Sequence, residues 1–223
     1  MIRLQHVSKV FGIGPAKVPA LTDISFDIDK GAMVVLTGAS GAGKTTLLRM
    51  LYRDELPSEG EIEVAGFSVT MLGRADTARL RRVIGIVFQD SKLLAGRNVF
   101  ENVAFVLRVL GTPRQEITPR AFAALKAVGL SARAQAYPHQ LSQGEAQRAS
   151  LARAIVKAPS LLLADEPTGN LDDETASEIL DLIWDIWSRG TTVILATHQA
   201  RLVAQLKRRT LRLEGGRLVK DEG

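Results

Sequence analysis

Cysteine is absent from the 223 residues, which rules out disulfides and thiolate metal sites and fits a reducing compartment. Long apolar runs are absent too. The longest, residues 33–36, 103–107 and 161–164, fall far short of the roughly 18 apolar residues that a membrane span requires. The opening Met1-Ile2-Arg3-Leu4-Gln5-His6 alternates like a strand and lacks the apolar stretch of a signal peptide, so a cytosolic location is expected. There is no internal repeat, no low-complexity linker and no sustained heptad pattern.

What remains is ample for a buried core. Hydrophobic residues make up 46% of the chain, enough for one large domain or one domain with a modest insertion. Lys and Arg exceed Asp and Glu by 29 to 24, a net charge of +5. Such a balance is compatible with nucleic acid or anionic lipid. The basic residues are scattered, however. The small groups Arg79/Arg81/Arg82 and Lys207/Arg208/Arg209 read as solvated faces, and no nucleic-acid-binding motif accompanies them, so no nucleic-acid partner is expected.

Periodicity gives an alternation of strands and helices. Residues 2–7 and 21–28 alternate as strands, with Gly12, Gly14, Pro15 and Pro19 in the turn region between them. Residues 33–37, 161–164 and 192–197 are nearly continuous apolar runs, as in strands buried on both faces of a parallel sheet. Residues 61–64 and 84–88 are further strands, and 211–213 with 217–219 form a closing hairpin around Glu214-Gly215-Gly216. Helices are predicted over 44–51 and 173–188. The second carries Ala176, Ile179, Leu180, Ile183, Trp184 and Trp187 on one face and stops at Gly190, so both tryptophans read as core. Residues 100–158 are helical in pattern, punctuated at Gly111-Thr112-Pro113 and Tyr137-Pro138. The order argues for an α/β fold with a helical insertion.

Gly38-Ala39-Ser40-Gly41-Ala42-Gly43-Lys44-Thr45 matches G-x-x-x-x-G-K-[ST] in full, between a predicted strand and a predicted helix. Glycines let backbone N–H groups curl around phosphate oxygens, and a helix N-terminus adds a favourable dipole. Residues Gly38 to Thr46, with Thr46 next on the helix, form the candidate nucleotide cradle. Lys44 would reach the β- and γ-phosphates, and Thr45 would ligate Mg²⁺.

Leu161-Leu162-Leu163-Ala164-Asp165-Glu166 delivers two carboxylates to the carboxyl end of a buried strand, where ligands of open α/β sheets sit. Asp165 fits a water-mediated Mg²⁺ partner, and Glu166 a base that orients and deprotonates the attacking water. Gln89 and His198 also end apolar strands. Gln89 suits a sensor of Mg²⁺ and of the attacking water; His198 suits a γ-phosphate contact. Taken alone, each is also compatible with a surface or capping role. Ser142-Gln143-Gly144-Glu145 reads as a capping box, whose helix start can still face an anion.

In order, the P-loop, Gln89, Ser142–Glu145, Asp165-Glu166, Asn170-Leu171-Asp172 and His198 resemble the nucleotide-binding domains of ABC ATPases across essentially the whole chain. The resemblance implies a P-loop NTPase fold: a mostly parallel core sheet, an antiparallel β subdomain and a helical subdomain. It divides the single domain 1–223 into a core of about 1–89 and 159–223 and a helical part of about 90–158. It also implies a homodimer with two ATP and Mg²⁺ at its interface, the P-loop of one copy facing Ser142 and Gly144 of the other, and Phe11 stacked on adenine. Within the family, residues 164–172 are similar to the branch of lipoprotein-release, macrolide-export and cell-division ATPases. Residues 1–9, 84–94 and 97–104 are most similar to its bacterial cell-division members. Those imply a polytopic membrane partner of FtsX type, docked along Gln89 to Asn102, and a peripheral place on the inner face of the membrane. The alternatives are a lipoprotein-release or macrolide-type exporter subunit, and a nucleotide-dependent division scaffold with little turnover. The chain departs from the family pattern where Gln143 replaces a signature Gly, Ala146 a usual Gln, and Gln199 a frequent acidic residue. These departures bear on turnover rather than on binding.

Overall fold

The computed structural model describes residues 1–12, 17–199 and 207–223; Gly14 and Pro15 of the expected turn lie outside them. The elements run β1 (Ile2–Phe11), β2 (Val18–Ile28), β3 (Met33–Thr37), α1 (Lys44–Leu51), β4 (Glu59–Val64), β5 (Phe67–Ser68), α2 (Arg74–Arg82) and β6 (Ile84–Val87). Then follow α3 (Val99–Val109), α4 (Arg114–Ala127), α5 (Gln143–Ile155), β7 (Leu161–Asp165), α6 (Asp173–Ser188), β8 (Thr192–Thr197), β9 (Arg209–Glu214) and β10 (Arg217–Glu222).

Two sheets share these strands. One has the order β2-β1-β4-β5 and is antiparallel throughout. The other has the order β10-β9-β3-β8-β7-β6; its pairs from β9 to β6 are parallel, and only the hairpin strand β10 is antiparallel. Strands β3, β7 and β8 are buried almost end to end because both faces of the parallel sheet are covered. The period-two pleat then sorts their side chains into two cores. Val34, Leu36, Leu161, Leu163, Ile194 and Ala196 join α1 and the antiparallel sheet. Met33, Leu162, Ala164, Val193 and Leu195 join α3, α4, α5 and α6.

Several elements differ from the sequence reading. β1, β2, β4, β9 and β10 run longer than their apolar alternation, because ladder partners continue past the last buried side chain. α2 went unread because only Thr77 and Leu80 of its nine residues are buried. Its basic group is not merely a solvated face: Arg81 donates to the carbonyls of Tyr52 and Arg53 at 3.0 and 2.9 Å. Nor is the later group. Arg208 lies over the rings of Trp184 and Trp187, 4.6 and 4.4 Å from their centroids, and Arg209 makes two bonds to Asp221. The tryptophans themselves are half-buried, packed edge to face, with Trp187 donating its indole N–H to the Gly31 carbonyl. They border the core rather than fill it.

Candidate active site

The strand order decides what meets. β8 lies between β3 and β7, and β6 lies beyond β7. Because these strands are parallel, their carboxyl ends share one edge of the sheet. The loop after β3, His198 after β8, Asp165 and Glu166 at the end of β7, and Gln89 after β6 therefore lie side by side.

The loop 38–43 is shaped by close approaches. A Cβ at Gly43 (φ 104°) would stand 2.7 Å from Leu21 Cδ2 and 2.8 Å from the Ala20 carbonyl oxygen. Gly43 is also the N-cap of α1, which has no side-chain cap and no acidic residue in its first turn. The donors of that turn are left for an anion. Lys44 is buried, and its ammonium donates to the carbonyls of Gly38 (2.8 Å) and Ala39 (3.1 Å). Glu166 Oε1 lies 3.4 Å from the same ammonium and 2.9 Å from His198 Nδ1. The His198 backbone N–H points to Glu166 Oε2 at 3.3 Å. Glu166 holds a left-handed backbone (φ 49°), with its N–H bonded to the Ala196 carbonyl at 2.9 Å. A carboxylate in this conformation is aimed back over the P-loop, which is a common use of backbone strain at a site.

These residues surround a cleft of about 370 Å³ that also takes in Ser40, Gly41, Thr45, Thr46 and Gln89. Beneath it, Thr45 hydrogen-bonds Asp165, whose other needs are unmet: Oδ1 is buried without a partner. Burial pushes the Asp165 carboxyl above the usual range, and the Thr45 hydrogen bond opposes that. A hydroxyl and an orphaned carboxylate oxygen side by side fit Mg²⁺, which takes a few hard oxygens from protein and the rest from water and phosphates. Among the described residues no group of three or more His, Cys, Asp or Glu could hold a metal by itself.

Gln89, which lines this cleft, rests its amide 3.5 Å from Asn170 Oδ1, on the loop that follows Glu166. Not every expected residue joins the cleft. Phe11 is exposed at the end of β1, paired with Val18, under the Lys9 ammonium at 4.7 Å; it does not line the cleft. Neither do Ser142, Gly144 and Glu145. They form the start of α5 as a capping box: Ser142 Oγ accepts from the Glu145 N–H at 3.1 Å, and Glu145 Oε2 accepts from the Ser142 N–H at 2.9 Å. Those bonds, with Arg133 Nε 2.9 Å from Glu145 Oε1, hold the Glu145 carboxyl below its usual range. Gln143 is the first residue of the helix, exposed and outside the box, so the cap tolerates the departure there. At Asn102 the docking expectation needs correcting. Its side chain is fully buried, bonding Leu94 N–H and the carbonyls of Leu94, Arg97 and Asn98, so it anchors the loop rather than presenting a surface.

Comparisons with known proteins identify the family. The family profile described as "ABC transporter" matches residues 21–169. The chain belongs to the ABC transporter family. It is 46% identical over 222 residues to the cell division ATP-binding protein FtsE of Mycobacterium tuberculosis, covering 100% of this chain and 96% of that protein. It is 45% identical over 218 residues to FtsE of Escherichia coli, covering 98% and 97%. Among solved structures, a dimeric bacterial ABC transporter cassette aligns with TM-score 0.91 at 33% identity, covering 100% of this chain and 98% of that one. A dimeric cassette in a post-hydrolysis state bound to ADP and Pi aligns at 0.90 and 32%, with the same coverage. This ABC cassette is thus an ATP-binding, ATP-hydrolysing protein with the P-loop NTPase fold.

The sequence reading missed two residues, Gln147 and Arg153, that hold the loop bearing Gln89. Both lie on α5 and donate to backbone carbonyls near Gln89. Nothing in their spacing announces that contact, because their acceptors are main-chain atoms about 60 residues away.

Proposed function

We propose that this chain is the ATPase subunit of a bacterial cell-division complex. Two copies bind two ATP between them and drive a polytopic membrane partner of FtsX type from the inner face of the membrane. The observation that carries the chemistry is the Glu166 carboxylate between Lys44 and His198 at the mouth of the P-loop. The division role is supported by the FtsE relatives, which match the chain over nearly their whole length.

In this reading ATP displaces the contacts that Lys44 now makes with loop carbonyls and with Glu166. The ammonium turns to the β- and γ-phosphates, and the N–H donors of loop 38–43 and of α1 take the remaining oxygens. Thr45 directly and Asp165 through water would hold Mg²⁺, which would supply neutralising charge for the phosphates. Glu166, released from Lys44, accepts a proton from the attacking water, while His198 holds the γ-phosphate end of the cleft. Gln89 leaves Asn170 to orient the attacking water, where it would also be within reach of Mg²⁺. Ser142 and Gly144 complete the site of the second copy, and Phe11 stacks on adenine. Part of the stretch 89–102, exposed at Asp90, Lys92 and Leu94, carries the movement to the partner. The helical part of about 90–158 moves against the core.

Replacing the chromosomal copy in the parent bacterium with Lys44→Ala tests this reading. Cells should elongate without dividing, and membrane extracts should yield the chain together with a polytopic protein. Normal division with the Lys44→Ala protein at wild-type abundance would overturn the division role.

A further inference from the structure

The loop that bears Gln89 is fastened to the helix that bears the signature. Gln147 of α5 is 4% exposed and donates its amide to the Phe88 carbonyl at 2.9 Å. Arg153, six residues on, splits its guanidinium between two carbonyls: Nη1 to Lys92 and Nη2 to Ser91, both at 2.7 Å. The loop is also drawn together on itself. Lys92 takes a left-handed backbone (φ 47°), and its ammonium folds back to 4.6 Å over the Phe88 ring. Residues 88, 91 and 92 are therefore pinned to α5. Gln89 and Asp90, between the pins, stay exposed. A fork of two N–H donors on two main-chain oxygens fixes orientation as well as distance, which a single contact does not.

The opposite flank of α5 meets the first turns of α6. Gly144 packs so closely on Thr175 that a Cβ would collide with the threonine methyl. Thr175 in turn bonds the carboxylate of Asp172, through its N–H at 2.9 Å and its hydroxyl at 2.8 Å. Arg148 pairs with Glu178 at 2.5 Å. Helix α5 is thus a bar with the Gln89 loop on one side and α6 on the other, and its first turn presents Ser142 and Gly144.

We propose that Gln147 and Arg153 are positioning residues for the hydrolysis: they make the Gln89 loop and the signature helix one rigid body. Occupancy of a copy's own P-loop, sensed at Gln89, then sets where Ser142 and Gly144 stand for the other copy's nucleotide. This rests on the reading that two copies share their nucleotides. Gln147→Leu removes the donor to Phe88. Arg153→Lys keeps the charge and gives up the fork.

Each substitution should lower kcat about 10- to 100-fold and leave KM for ATP within about twofold, because the misplacement affects the reacting geometry rather than ground-state binding. In a Gln89→Ala background the same substitutions should cost less than about threefold more, since residues acting as one unit are not additive. Arg153→Lys should lose less than Arg153→Met. In a Glu166→Gln background each should weaken ATP-dependent dimerisation about tenfold with single-chain ATP affinity unchanged. Losses that multiply with Gln89→Ala, a KM that rises in step with the fall in kcat, or a dimer of undiminished strength would overturn the proposal. A wild-type chain without turnover would count against hydrolysis in the proposed function, and the dimer measurement would still decide this one.

Discussion

Helices α1 and α5 both begin beside glycines, yet their N-termini are finished in opposite ways. α1 starts at Gly43 with no side-chain cap and no acid in its first turn. α5 starts at Ser142 with a complete capping box, Glu145 in its first turn and Arg133 against that carboxylate. A helix start leaves four N–H groups without intrahelical partners. In α1 the chain leaves them open, as the proposed phosphate binding requires; in α5 the chain itself satisfies part of them. The two glycines differ accordingly. Gly43 is needed for its positive φ and for room against Leu21 and Ala20, whereas Gly144 is needed for room against Thr175. One terminus is built to be completed by a ligand, the other to stand ready before any ligand arrives.

Breaking the open terminus should have the larger effect. Gly43→Ala forces a side chain into a strained backbone and onto Leu21, which should cost about 1–3 kcal/mol of stability. It should also weaken ATP binding at least about tenfold. Thermal melts with a nucleotide titration check both. Gly144→Ala should cost about 1–3 kcal/mol through overpacking on Thr175 and leave ATP binding by the single chain intact. Adding Thr175→Ala should return most of that stability. If the double variant melts no higher than Gly144→Ala alone, the close packing is not what requires glycine there.

Much of the open terminus was legible in the sequence, and much of what surrounds α5 was not. The P-loop, the paired carboxylates and the capping box are local patterns, and a local pattern carries its own geometry. The same holds for β3, β7 and β8, whose unbroken apolar runs marked them as strands covered on both faces. The strand order that brings both Lys44 and His198 against Glu166 is a long-range fact without local trace. So are the bonds of Gln147 and Arg153 to main-chain carbonyls, and so is the Arg208 contact with Trp184 and Trp187. α2 escaped because a surface helix with two buried residues has little apolar periodicity to read.

Smaller effects should separate the capped terminus from its ligand. Ser142→Ala should cost about 1 kcal/mol, the usual worth of an N-cap, with ATP affinity of the single chain unchanged. Its consequence should be seen in the dimer. The smallest effect is in pH. The folded Glu145 carboxyl titrates below its ordinary value, chiefly through the Ser142 N–H. Its contribution is therefore fully present above the ordinary carboxylate value and is lost as pH falls through the lowered one. Melting temperatures of wild type and Glu145→Gln should converge as the solution is acidified through that window. Parallel curves would mean that the box does not depend on the charge.

The central claim is that the open terminus of one copy is closed by the capped terminus of another around ATP. Sedimentation of Glu166→Gln with Mg²⁺ and ATP tests it most directly, because loss of the base should leave binding and stop the reaction that separates the copies. The expected result is a dimer with ATP that dissociates when Ser142→Ala or Lys44→Ala is added. A Glu166→Gln protein that binds ATP and stays monomeric, even with its membrane partner present, would contradict it.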